Sequence, residues 1–68
     1  MTFGENLKRI RKDMNVTQEE MAKHIGISQS YIADIERNRK NISLAVILKI
    51  AKGLKISINK LINDDIKQ

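Results

Sequence analysis

The residues best equipped for chemistry form a short polar run, "SQSY", over 28–31. Its hydroxyl and amide groups donate and accept hydrogen bonds, and Asp34 and Arg37 add one charge of each sign within the next two turns. Ile32 and Ile35 are three residues apart, which predicts a helix with one side on a core and a polar side facing outward. The pattern therefore favours hydrogen-bonded recognition of a partner.

Catalysis and metal binding find little support in the composition. The chain has no cysteine and a single histidine, His24, so it lacks the paired ligands of a zinc site. Asp64 and Asp65 are adjacent, and a helix would place them about 100° apart with no accompanying base or nucleophile. We therefore expect no enzymatic activity, no metal and no cofactor.

Length and charge narrow the class of protein further. The 68 residues predict one small domain over 1–68, and a net charge of +5 favours a polyanionic partner. The absence of cysteine fits a reducing compartment, and no apolar run reaches the ~20 residues of a membrane span. We expect a cytoplasmic protein without a membrane partner.

Apolar residues at steps of three and four predict five amphipathic helices and an all-α fold. Thr17 and Glu20 match a capping box at the start of helix 2, and Gly26 ends that helix because the following turn needs a positive φ. Over 55–60 the alternation in "KISINK" also fits a strand, so this segment stays open between strand and helix. Serines that match N-cap positions are Ser28, Ser43 and Ser57.

Two short helices around Gly26 match a helix-turn-helix over about 17–37. The small side chain of Ala22 allows the two helices to approach closely, and Ile27 anchors the second of them with the two isoleucines named above. A helix that displays glutamine and serine on its outer side fits the ~12 Å major groove of DNA and can contact base edges there.

Over nearly its whole length the chain resembles the lambda-repressor/Cro-like (XRE-type) helix-turn-helix DNA-binding proteins of bacteria and phages. The stretch "YIADIERNRKNIS" is also similar to controller proteins of restriction–modification systems. The resemblance implies a compact five-helix lambda-repressor-like domain. It also implies a sequence-specific transcriptional regulator that binds a near-palindromic operator as a homodimer. The residues at matching positions are Gln18, Ala22, Gly26, Ile32, Ile35 and Glu36.

The resemblance also implies roles for individual residues in binding double-stranded DNA. Gln29 and Ser30 would contact base edges, Gln18 would bond a phosphate at the start of helix 2, and Glu36 would pair with Arg11. The basic loop over 37–40 would bind the DNA backbone. The residues predicted to contact DNA are Arg11, Thr17, Gln18, Ser28, Gln29, Ser30, Tyr31, Asp34, Arg37, Asn38, Arg39 and Lys40.

Three of these residues have open alternatives. Asp34 either accepts a hydrogen bond from cytosine N4 or pairs with Arg37, and Tyr31 either contacts the DNA backbone or packs against the protein. Asn38 stands where a glycine commonly ends the reading helix, and asparagine tolerates the left-handed conformation that this position requires.

The last two helices, over about 43–64, contain more apolar residues than one buried side of each needs. This surplus either completes the core or forms a twofold dimer interface. Leu44 and Leu48 fall on the same apolar side of helix 4 as Ala51 and Leu54. The residues predicted for the interface are Val46, Ile50, Ile58, Leu61 and Ile62, with Ile66 beyond them.

A protein-interaction module, such as an antitoxin-like or adaptor domain, is the alternative function. It would keep the helical fold and present an exposed apolar patch on helices 4 and 5 to another protein. A regulator that activates transcription would also need a contact with RNA polymerase, for which Glu19 and Glu20 are candidates.

Overall fold

The computed structural model describes residues 2–39 and 41–62. The predictions for Lys40, Asp64, Asp65 and Ile66 lie outside these ranges. Within them the chain forms five α-helices and no strand, which confirms the all-α prediction. The helices are α1 (Phe3–Asp13), α2 (Gln18–Ile25), α3 (Gln29–Glu36), α4 (Leu44–Leu54) and α5 (Ile58–Ile62).

Side-chain caps fix where the helices begin. The Thr17 hydroxyl accepts a hydrogen bond from Glu20 N at 3.0 Å, and Thr17 N donates to the Glu20 carboxylate at 2.8 Å, so the predicted capping box is formed. Ser28 caps α3 by accepting from Tyr31 N at 3.1 Å. Ser57 accepts from Lys60 N at 3.2 Å and caps α5. Of the two alternatives for the segment over 55–60, strand and helix, the structure therefore shows the helix.

Left-handed residues make the turns between the helices tight. Gly26 has φ 91° at the end of α2, and Asn38 has φ 59° after α3, as predicted for both positions. Asn15 and Lys55 adopt the same conformation after α1 and α4, with φ 60° and 58°. The turns at Gly26 and Lys55 connect α2 to α3 and α4 to α5, and the two helices of each pair pack against each other.

The core draws at least one fully buried side chain from every helix. Ile50 and Leu61 belong to it, since neither exposes any surface to solvent. The prediction that these two residues contact a dimer partner is therefore wrong, because their side chains are already enclosed by their own protomer. The most deeply buried side chains are Leu7, Met21, Ile32, Ile35, Ile50 and Leu61.

A glycine brings α1 against the end of α3. A Cβ placed on Gly4 would lie 2.1 Å from the carbonyl oxygen of Ile35, so no larger residue fits without moving the backbone. The side chain of Asn6, also buried in α1, donates to Lys60 O at 3.1 Å and also to Leu61 O. These contacts hold α1 between α3 and α5.

In the described ranges, each helix is too short or too polar to cross a lipid bilayer.

Candidate nucleic-acid interface

Helix α3 presents its polar side to solvent because its apolar side is fixed in the core. Ile32 and Ile35 expose 0% and 1% of their surface, whereas Gln29 and Ser30 are exposed. The outward placement predicted for these two polar side chains is thus confirmed. Their contact with bases stays a prediction.

A buried carboxylate fixes α3 relative to the two preceding helices. Arg11 on α1 donates from Nε to Glu36 Oε2 at 2.7 Å and from Nη2 to Oε1 at 3.1 Å, so the predicted pair is formed. Gln18 on α2 also donates to Glu36 Oε1, at 3.1 Å. The Glu36 carboxylate at the end of α3 therefore connects three helices and fixes the orientation of α3.

Arg11 is mostly occupied by these internal contacts. Its Nη1 donates to Val16 O at 3.0 Å, and only 12% of its side chain is exposed. Because three of the five guanidinium N–H groups have protein acceptors, the main role of Arg11 in this structure is to pair with Glu36. Its phosphate contact stays a prediction.

The loop after α3 carries positively charged residues. Arg37 and Arg39 are both exposed, and the left-handed turn at Asn38 allows Arg39 N to donate to Asp34 O at 2.9 Å. This backbone bond holds the loop against the last turn of α3. Two exposed arginines therefore follow directly after the C-terminal end of α3.

The remaining predicted contact residues serve the fold as well. Thr17 and Ser28 use their hydroxyl oxygens as caps, although a capping hydroxyl can still donate its own hydrogen to a phosphate. Tyr31 is half-buried and packs against the core, in line with the packing alternative for its ring.

The exposed apolar surface differs from the predicted one. Leu44 and Leu48, four residues apart on α4, expose 63% and 50% of their surface, and Ile62 at the end of α5 exposes 42%. Sequence periodicity predicted that the two leucines share the apolar side of α4 with Ala51 and Leu54. This prediction is wrong, because Ala51 and Leu54 are buried and the two leucines are exposed. Val46 and Ile58 are half-buried. We call Leu44, Leu48 and Ile62 the apolar patch.

The chain contains a capped two-helix unit joined at a left-handed glycine. The polar first turn of the second helix is exposed, and exposed arginines follow its C-terminus. These features define a helix-turn-helix DNA-binding domain. A sequence profile described as helix-turn-helix matches residues 7–61, and the chain belongs to this family. The family resemblance seen in the sequence is confirmed.

Individual relatives agree with this assignment. The chain is 38% identical over 65 residues to an immunity repressor of Bacillus phage phi105. The alignment covers 96% of this chain but only 45% of that repressor. The crystal structure of the restriction–modification controller protein C.AhdI from Aeromonas hydrophila superposes with a TM-score of 0.81 at 37% identity, covering 87% of this chain and 86% of the other. The P22 c2 repressor in complex with a synthetic operator superposes with a TM-score of 0.81 at 26% identity, covering 96% and 98%.

Proposed function

We propose that this protein is a sequence-specific DNA-binding transcriptional regulator, without enzymatic activity, that binds a near-palindromic operator as a homodimer. The observation that carries the proposal is the exposure of Gln29 and Ser30 on the first turn of a helix whose other side is fully buried. The similarity to phage repressors and to a repressor–operator complex supports it.

Base contacts would come from the first turn of α3 in the major groove. The Gln29 amide can donate to N7 and accept from N6 of adenine, and the Ser30 hydroxyl can pair with either a donor or an acceptor. Since Ile32 and Ile35 are held in the core, this turn would reach the bases with little freedom to reorient.

Phosphate contacts would flank the base contacts. Gln18 lies at the N-terminus of α2, where unpaired backbone N–H groups and the helix dipole favour an anion. Its side-chain amide is oriented by Glu36. On the other flank the guanidinium groups of Arg37 and Arg39 are exposed, so two sides of the reading helix offer donors to the backbone.

The apolar patch is the surface on which we place the dimer contact. The patch begins at the N-terminus of α4, a few residues after the basic loop, so a second copy packed there would also face the same DNA. The protomer measures 33 × 23 × 21 Å. We propose that two protomers packed through this patch present their recognition helices about one DNA turn, ~34 Å, apart. For an activating regulator, the exposed Glu19 and Glu20 are the residues we propose for a polymerase contact.

Selection of bound sequences from random DNA duplexes tests the proposal. We expect enrichment of one site with two inverted halves whose centres are about one helical turn apart. Failure to enrich any sequence at low salt would contradict the proposal and favour the protein-interaction alternative, whose partner would then occupy the apolar patch.

Leu48→Lys should abolish dimer formation without unfolding the protein. Leu48 is half exposed in the protomer, so the fold tolerates a charge there, whereas an apolar contact would bury that charge without a counter-charge. Sedimentation at tens of micromolar should give a monomer. Affinity for the full palindrome should fall by about 100-fold, because a monomer cannot bind both half-sites as one linked unit. Met14→Lys, at a similarly exposed methionine outside the patch, is the matched control. A dimer that survived Leu48→Lys would place the contact elsewhere.

Arg39→Ala should weaken binding to all sequences alike, since a guanidinium on a phosphate carries no base preference. The dependence of log K on log salt concentration should become shallower by about one. Fluorescence anisotropy on a cognate and a scrambled duplex between ~50 and ~200 mM salt measures both quantities. Lys8→Ala, at an exposed position of α1, provides the comparison. An Arg39→Ala effect confined to one sequence would instead indicate base contact.

A further inference from the structure

The recognition helix carries an acidic residue on its outward side. Asp34 lies four residues after Ser30, so the two side chains stand one above the other, and it is half-buried. The buried isoleucines occupy the opposite side of the same helix. An acid in this position is unexpected, because a carboxylate near DNA phosphates is repelled unless a donor faces it.

The Asp34 carboxylate has no partner within residues 2–39 and 41–62. In those ranges neither Arg37 nor Arg39 forms an ion pair with it, although Arg39 N donates to the backbone carbonyl of Asp34. Pairing with Arg37, one of the two alternatives from the sequence, is therefore absent from the structure. The other acid of α3, Glu36, accepts from Arg11 and Gln18. Among the described residues, the Glu36 carboxylate binds other side chains of the protein, whereas the Asp34 carboxylate binds none of them.

The chemistry of the major groove limits what this carboxylate can meet. An ionised carboxylate only accepts hydrogen bonds, and guanine and thymine present acceptors at O6, N7 and O4. Adenine offers N6 as a donor, but its N7 acceptor lies on the same edge. Cytosine N4 is the donor that a single carboxylate fits best. Guanine or thymine at this position would leave the charge desolvated without a donor, so the residue disfavours these bases as well as favouring cytosine.

We propose that Asp34 is a specificity-determining residue that selects cytosine at one position of each half-site by accepting a hydrogen bond from N4. The inference rests on the proposed function, since it assumes that α3 enters the major groove.

The test compares sequence selection by the wild-type protein, Asp34→Ala and Asp34→Asn from the same pool of random duplexes. The affinities of all three are then measured on the selected duplex and on a version with cytosine changed to thymine at the assigned position. For the wild-type protein, this change should weaken binding by about 5- to 150-fold, the range of a good base contact. For Asp34→Ala the two duplexes should differ by less than about twofold. Asp34→Asn, which adds a donor, should accept thymine or guanine there.

The matched control is Glu19→Ala, which removes the same charge from an exposed position on α2 outside the reading helix. It should change affinity for every duplex by one factor and leave the selected sequence unaltered. The inference is overturned if Asp34→Ala selects the same bases as the wild-type protein, or if it raises all affinities uniformly as the control does. If the wild-type protein selects no sequence at all, the proposed function fails and this inference fails with it. If the wild-type protein selects a site and Asp34→Ala keeps the same base preference, the inference about Asp34 fails while the proposed function stands.

Discussion

Glu36→Ala is expected to lower the free energy of unfolding by about 3–5 kcal/mol, the usual cost of removing one partner of a buried ion pair. The Glu36 side chain is 3% exposed and accepts from Arg11 and Gln18, so its removal leaves a largely buried guanidinium without a counter-charge. Because a domain of this size is stabilised by roughly 5 kcal/mol, most of the protein should unfold in mild denaturant. Urea denaturation followed by circular dichroism measures the change.

Two further variants distinguish the effect of breaking the ion pair from the effect of removing any negative charge. Glu19→Ala removes an exposed carboxylate and should cost less than about 1 kcal/mol. Replacing Arg11 and Glu36 together by methionine and leucine should recover much of the stability, since no buried charge is then left without a partner. A loss below about 1 kcal/mol for Glu36→Ala would show that the carboxylate does not hold the three helices together.

Gln29→Ala is expected to reduce affinity for the selected operator by about 1–3 kcal/mol, which is about 5- to 150-fold in Kd. The amide is exposed at the first turn of α3 and has no hydrogen-bond partner among the described residues, so truncation removes a base contact without disturbing the fold. Preference at the contacted base pair should relax while the other positions keep theirs. Repeating the sequence selection with the variant detects this directly.

Arg39→Ala serves as the comparison for Gln29→Ala, because a lost phosphate contact lowers affinity without changing preference. The melting temperature of Gln29→Ala should match that of the wild-type protein. If Gln29→Ala bound with unchanged sequence preference, base recognition would have to reside in other side chains of α3.

Local sequence signals determined most of the helical architecture. The Thr17–Glu20 capping box and Gly26 act within a few residues of their own position, so composition and spacing are enough to predict them. The outward placement of Gln29 follows from helical periodicity once Ile32 and Ile35 face the core. The Arg11–Glu36 pair came from the family resemblance, since no local rule connects residues so far apart in sequence.

Only the tertiary structure decided how the surplus of apolar residues on α4 and α5 divides between core and surface. Periodicity identifies an apolar side, but α4 is apolar around much of its circumference, and the side that is covered depends on where α2 and α5 pack. Ile50 and Leu61 are therefore enclosed, while Leu44 and Leu48 are left in solvent. The bond from Gln18 to Glu36 and the close approach at Gly4 likewise join residues distant in sequence. Such contacts depend on helix packing in three dimensions, and hydrophobic spacing along one helix does not specify it.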